Sequence, residues 1–371
     1  MKVAIDVGPT HGRRTGIGNA VAWTIDALGQ RASSDAGSID LEPYLTSVRA
    51  RTRSGERRLP MPAAVALRLW AHRSPPMDRW MGRPDVVHGT NYVVPPADCA
   101  RIVSVYDCWF LDHPEDADPD VRRAAAVLRR AVADGAHVVT SSDATTRRVR
   151  ELLGTDRVRT IILGPPPHAG GDAGADARRR RTIIPELEDQ PFVLALGTME
   201  RRKNLPTLVN AFGRLAHEHE SVRLVIAGAP ANDTAAVNRA IARLQPDIAA
   251  RIIRTGPVDE ATKRWLLSAA RTLAYPSLDE GFGFPILEAQ QAGTPVVAST
   301  AGSIPQIAGA AALLSPARDA EAIAANLYWI VTNDEMHAKL VRRGHANLRR
   351  FSWAATASRL IDTYTEVADG H

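Results

Sequence analysis

The stretch Tyr275-Pro276-Ser277-Leu278-Asp279-Glu280-Gly281-Phe282-Gly283-Phe284-Pro285-Ile286-Leu287-Glu288-Ala289 is the most informative part of the chain. A short apolar run ends at Tyr275, a loop with two glycines follows, and Pro285 stands where a helix opens. Proline suits the first helical position because its missing N–H would have no partner there. Gly293 then ends the helix and Pro295 opens the next strand. A glycine-rich loop therefore leaves the carboxyl edge of a strand and feeds a helix N-terminus. Ligands of open α/β sheets sit at that edge. The free N–H groups of a helix start favour phosphate, and glycine lets the backbone approach it. Glu280 precedes the turn and Glu288 lies about one turn inside the helix. A carboxylate accepts hydrogen bonds from pairs of sugar hydroxyls. Either glutamate alone would read as a surface charge; their spacing around this loop points to a ligand.

A second segment repeats the logic. Leu196-Gly197-Thr198-Met199-Glu200-Arg201-Arg202-Lys203-Asn204 follows a strand-like run and precedes a helix that opens near Asn204-Leu205-Pro206. Cations at a strand's carboxyl edge can hold a diphosphate and stabilise charge that grows on it. A solvated charge run is the competing reading. Composition weighs against it: 42 of the 46 cationic residues are arginine, so Lys203 is one of only four lysines. A third segment, Thr15-Gly16-Ile17-Gly18-Asn19, opens the first helix. It is not a dinucleotide fingerprint, because position 21 is Val and the glycines come too long after the strand.

Outward from these segments, apolar runs alternate with helical patterns. Strands are expected near 3–7, 86–88, 102–106, 138–140 and 158–162, and again near 192–196, 223–227, 251–254, 272–275 and 295–298. Helices are expected near 18–29, 120–134, 143–153, 204–217, 233–245, 259–270 and 285–292. Continuous Val/Ile/Leu runs suit parallel strands buried on both faces, and the alternation implies doubly wound α/β sheets. The chain of 371 residues is long enough for two domains. The expected division is a Rossmann-like domain over 1–168, a linker over 169–190 and a second Rossmann-like domain over 191–350. The tail over 351–371 is expected to be a helix packing back across the first domain. The linker is Pro/Gly-rich, with four arginines at 178–181 that read as solvated or as an anion site. Residues 61–73 form a short basic apolar helix, read as domain packing or as a contact with a membrane or a lipid-linked acceptor.

Apolar residues make up 45% and charged residues 23%, which excludes wholesale disorder. Mean hydropathy is −0.17, and no apolar run approaches the ~20 residues of a membrane span. The N-terminus reads as a buried strand and not as a signal peptide, so the expected location is the cytoplasm, with peripheral contact at the inner face of the membrane as an option. Cys99 and Cys108 have no metal or disulfide spacing. The net charge of +5 suits an anionic small molecule or a membrane surface as well as nucleic acid. Nucleic acid is not expected as a partner, since no binding motif accompanies the charge.

These segments resemble the retaining, nucleotide-sugar-dependent glycosyltransferases of family four, the group 1 glycosyltransferases. Residues 280–288 match that family's Glu-x7-Glu motif, and 197–204 resemble its GTxExRKN segment. Similarity extends to 224–228, 256–258, 293–299 and 351–353, and in the first half to 15–18, 85–92, Pro95-Pro96 and 105–114. The resemblance implies the GT-B fold, two facing Rossmann-like, doubly wound α/β domains with a cleft between them. It implies catalytic roles for Glu280 on the transferred sugar and for Arg202 and Lys203 on the diphosphate. It implies donor-binding roles for Glu288 on the ribose, Val258 near the base, and the backbone at Gly283, Phe284, Pro285 and Ile286. Gly16 and Gly18 would close on the diphosphate from the other domain. Many members carry His-Asp where this chain has Tyr106-Asp107, and Pro-Glu where it has Pro305-Gln306. Asp107 is still expected among the catalytic residues, facing the acceptor, with Tyr106 on the acceptor side packing beside it. His88 and Asn91 are further acceptor-side candidates, although a lone histidine is more often a structural hydrogen-bonding residue.

The implied reaction transfers a hexose from a nucleoside diphosphate to a hydroxyl, with retention at the anomeric carbon. The departing phosphate can itself take the proton. The sugar nucleotide is a co-substrate, no cofactor is expected, and the two cations take a metal's electrostatic part. Residues 85–96 and 197–204 are most similar to members that use GDP-mannose. UDP-linked glucose or N-acetylglucosamine is the alternative donor, and an epimerase of the same fold is the alternative reaction. A saccharide or a lipid-linked glycan is the expected acceptor.

Overall fold

A computed structural model describes residues 1–12, 15–34, 39–72, 75–167, 187 and 190–371. The expected linker lies outside the described residues apart from Leu187 and Gln190, as do the four arginines at 178–181. The chain divides into two compact units, Met1–Gly164 with Phe351–His371, and Pro165–Arg350.

The first unit is built on seven parallel strands: β1 (Lys2–Asp6), β2 (Asp40–Leu45), β3 (Arg57–Arg58), β4 (Val86–Gly89), β5 (Ala100–Val105), β6 (His137–Thr140) and β7 (Val158–Thr160). Their order is β3-β2-β1-β4-β5-β6-β7. The chain leaves β1 in one direction for β2 and returns on its other side with β4, so β1/β4 is the switch point of this sheet. β2 and β3 escape the sequence pattern: β2 contains Pro43 after the charged Glu42, and β3 is two arginines long. One sheet face packs Ala4, Tyr44, Val87 and Val103 against Trp70 of α2 (Ala63–Trp70) and Leu128 of α4 (Pro119–Ala133). The other packs Val3, Ile5, Val86 and Ile102 against Leu28 of α1 (Gly16–Ser34) and Leu360 and Tyr364 of the last helix, α14 (Trp353–Asp369). The short α3 (Trp109–Asp112) and α5 (Asp143–Leu153) complete the unit. α14 is seated by Trp353, whose ring lies edge-on to Trp23 at 5.9 Å and leaves room only for glycine at 164. Helix α2 buries Ala66 and Trp70 and leaves Val65 and Leu69 exposed.

The second unit has six parallel strands: β8 (Phe192–Leu196), β9 (Arg223–Ala227), β10 (Ile252–Gly256), β11 (Thr272–Tyr275), β12 (Val296–Ser299) and β13 (Ala312–Ser315). The order β10-β9-β8-β11-β12-β13 puts the switch point at β8/β11. Side chains alternate across the sheet, as the period of two requires. Val193, Leu224, Ile226 and Ala274 pack under Phe212 of α6 (Leu205–Glu218) and Leu327 of α12 (Ala320–Thr332). Leu194, Val225, Leu273 and Tyr275 meet Leu266 of α9 (Glu260–Ala269) and Ile286 of α10 (Phe284–Gln291). Between these lie α7 (Thr234–Ala242), α8 (Pro246–Ala249), α11 (Ile304–Ala308) and α13 (Asp334–Leu348). Among the described residues no helix is long and apolar enough to cross a membrane.

Candidate functional site

The two sequence segments singled out in the second unit meet at its switch point. After β8 the chain makes a single 3-10 turn, Arg201–Lys203, and Asn204 takes a left-handed backbone (φ 56°) before α6. The Asn204 side chain donates to the carbonyls of Pro276 (3.0 Å) and Ala317 (2.6 Å), and the Leu278 N–H donates to the Arg202 carbonyl (2.7 Å). These bonds tie the cationic turn after β8 to the loop after β11. The sequence marks Asn204 only as a polar residue between a charge run and a helix start.

Glu280 is the centre of the cluster and is only 7% exposed at its side chain. Its Oε1 accepts from Lys203 Nζ at 2.5 Å and its Oε2 from Arg202 Nη1 at 2.8 Å. Arg202 also donates to Glu200 (2.8 Å), and Lys203 to the Tyr275 hydroxyl (3.1 Å). Burial by itself would raise the Glu280 carboxyl; Lys203 and Arg202 outweigh it and hold the group at about 2. Burial lowers the Lys203 ammonium, opposed by Glu280. Burial and the Glu280 charge push the Tyr275 phenol far up. The result is a buried carboxylate held between two cations. From the far side, Gly302 packs so closely on the Asp279-Glu280 backbone that a Cβ there would lie 2.4 Å from the Asp279 carboxylate. The Ser303 N–H and hydroxyl donate to the Glu280 and Phe282 carbonyls.

Gly283 caps α10 at φ 100°, a conformation glycine alone adopts without strain. The backbone over residues 283–286, expected to line the sugar–phosphate site, has two positions with no amide to offer. Pro285 has no N–H, and the Ile286 N–H is bonded to the Gly283 carbonyl at 3.0 Å. Phe284 opens the helix, its ring 4.9 Å from that of Phe282. Glu288 lies one turn further, apart from the Glu280 cluster. It accepts from Lys263 of α9 at 2.8 Å, and Lys263 also pairs with Glu260 at 2.8 Å. Lys263 was missed, although its rarity as a lysine was the available signal. Val258 lines an open pocket of about 400 Å³ with Arg254, Thr255, Asp259 and Thr262.

The residues expected in the first unit are less concentrated. Gly16 opens α1 with open space around it, and Gly18 is buried with its N–H on the Thr15 hydroxyl (3.2 Å). Asp107 accepts from the Trp109 N–H at 3.2 Å at the start of α3. Tyr106 is half-buried, edge-on to Tyr92. The acceptor-side expectation for His88 is corrected. His88 is fully buried within β4, bonded through Nδ1 to the Tyr364 hydroxyl (2.7 Å) and through Nε2 to Ser104 (2.8 Å). Burial pushes it down to about 3, so it is a neutral structural link between the sheet and α14. The amide oxygen of Asn91 is buried and has no partner among the described residues.

Comparison with known proteins bears on this geometry. Residues 190–333, which contain both segments of the switch-point cluster, match the family described as "Glycosyl transferases group 1". The match to the group 1 glycosyltransferases thus lies in the second unit. The O-antigen chain mannosyltransferase B of Escherichia coli is 28% identical over 290 residues, covering 75% of this chain and 74% of that protein. A phosphatidyl-myo-inositol mannosyltransferase of Mycolicibacterium smegmatis is 30% identical over 235 residues, covering 61% of this chain but only 56% of that relative's length. Sucrose-phosphate synthase of Thermosynechococcus elongatus superposes with a TM-score of 0.73 at 19% identity, covering 100% of both chains. That likeness concerns the fold: two parallel α/β sheets in the GT-B class, as the group 1 motifs implied.

Proposed function

We propose that the protein is a retaining, metal-independent glycosyltransferase that moves mannose from GDP-mannose to a hydroxyl of a saccharide or lipid-linked acceptor. The observation that carries this reading is the Arg202–Glu280–Lys203 cluster at the β8/β11 switch point. Breaking the anomeric bond leaves positive charge on the sugar and negative charge on the diphosphate. Two cations preset at a water-poor edge stabilise that leaving group without reorganising. Glu280 keeps them from repelling each other when the site is empty. With donor bound, the diphosphate takes over that task and Glu280 is released to the hydroxyls of the transferred sugar. Glu288, held by Lys263, accepts from the ribose hydroxyls, and the pocket beside Val258 receives the base. Gly16 and Gly18 approach the diphosphate, and Asp107, Tyr106 and Asn91 serve the acceptor side. The names of the two mannosyltransferase relatives support mannose as the sugar.

Calorimetry with GDP-mannose, UDP-glucose, UDP-N-acetylglucosamine, NADH and a short DNA duplex, without metal, tests the proposal. Selective binding of GDP-mannose is the expected result. Binding of a UDP-sugar alone overturns the donor assignment. Chelator-sensitive transfer restored by magnesium overturns metal independence, and an inverted product anomer overturns retention.

A further inference from the structure

The switch point of the first sheet also carries a carboxyl group, Asp6, the last residue of β1. It is the registered neighbour of Tyr44 on β2, so both side chains leave the same sheet face. Asp6 Oδ1 accepts from the Gly8 N–H at 2.9 Å, and its carbonyl accepts from the Thr90 hydroxyl after β4 at 2.8 Å. Among the described residues Oδ2 has no partner, and no cation pairs with the group. Titratable groups around it are the phenols of Tyr44 and Tyr106, both pushed up by burial and by the Asp6 charge. Arg53 lies beyond, spent on the Thr10 hydroxyl and carbonyl, and His11 is paired with Glu56. The Tyr44 hydroxyl is fully buried and also lacks a partner among the described residues. A poorly solvated carboxylate without a counter-charge is costly to keep, and the buried, partnerless Tyr44 hydroxyl on the same sheet face calls for an explanation.

We propose that the Asp6 carboxylate is a specificity residue for the acceptor, taking hydrogen bonds from adjacent hydroxyls of a neutral sugar. The inference rests on the glycosyltransferase reading above. An ionised acceptor group, such as a phosphate, is disfavoured by the like charge of the Asp6 carboxylate. Neutral hydroxyls supply the donors that Oδ2 lacks. Burial pushes the Asp6 carboxyl up to about 7. Protonation makes it a poorer acceptor, so sugar binding weakens as pH falls through that value.

The test uses the full chain, wild type and Asp6→Asn, with methyl α-mannoside as the neutral probe and myo-inositol 1-phosphate as the anionic one. Affinities are read by ligand-observed NMR from pH 5.5 to 8.5, a range set about one to two units either side of the group. Wild type is expected to prefer the neutral sugar and to lose affinity toward acid pH. Asp6→Asn is expected to bind it about tenfold more weakly at pH 8, the scale of one hydrogen bond to a charged group, with a flat pH profile. The Asn side-chain carbonyl can keep the Gly8 bond. If Asp6→Asn fails to fold, the wild-type pH profile still decides. No binding of the neutral sugar, a flat wild-type profile, preference for the phosphorylated probe, or an unchanged Asp6→Asn each overturns the proposal. GDP-mannose is titrated in parallel. Failure to bind it, with the sugar result intact, overturns the donor reading and leaves Asp6 in place.

Discussion

The two sheets reverse direction in the same way and place a carboxyl group at each reversal, yet the two groups are opposite in character. At β8/β11, Glu280 is locked between Arg202 and Lys203 and held at about 2. At β1/β4, Asp6 has two phenols for neighbours, no cation among the described residues, and a carboxyl pushed up to about 7. The topology supplies a ligand edge in both cases; the residues beyond the strand ends decide what kind of ligand each edge tolerates. The cationic edge is the one proposed for a diphosphate, and the isolated carboxyl the one proposed for neutral hydroxyls.

The largest expected effects come from breaking the cationic edge. Lys203→Ala, Arg202→Ala and Glu280→Ala should each lower turnover about 10²-fold or more, the scale for losing a key transition-state contact. Steady-state rates of GDP release from GDP-mannose measure this, and near-normal rates in folded protein would remove the cluster from the mechanism. Lys203→Ala should also lower stability by about 3 kcal/mol, because Glu280 loses one of its two cations.

The second contrast lies in acid and base stability. Glu280 has a depressed value, so its contribution is present above the ordinary carboxylate range and is lost as pH falls toward about 2. Glu280→Gln should remove on the order of 3 kcal/mol of that acid dependence. Asp6 has a raised value, so the native state binds its proton more tightly and stability falls as pH rises from about 4 to about 7. Asp6→Asn should therefore raise the melting temperature above pH 7 and change it little near pH 4. Parallel pH trends in the two variants would erase the contrast.

Smaller effects sharpen the donor side. Glu288→Ala should weaken donor binding about tenfold and Lys263→Ala about threefold, with turnover at saturating donor nearly unchanged. Equal effects of both variants on kcat and on KM would argue that the Lys263–Glu288 pair holds the fold and not the ribose.

Much of the chemistry was legible in order along the chain. The strand runs ending at 196 and 275, the glycine loop, the cation run and the paired glutamates are local features, and local features survive without a structure. What escaped was of two kinds. Strand β2 is interrupted by Pro43 next to Glu42, and edge strand β3 is two exposed arginines long, so neither carries the apolar signal. Individual hydrogen-bond destinations escaped as well. His88 looked available and is spent on Tyr364, 276 residues away. The Ile286 amide looked available and is spent three residues back.

The sequence by itself determined the two α/β sheets, the group 1 motifs and the identity of the residues at the second switch point, since periodicity and spacing are properties of neighbouring residues. Tertiary structure decided which charges pair. It put Lys203 on Glu280 across 77 positions and Lys263 on Glu288 across 25, and it left Asp6 without a counter-charge among the described residues. Electrostatic character depends on distance and burial in three dimensions, and neither is written in the order of the chain.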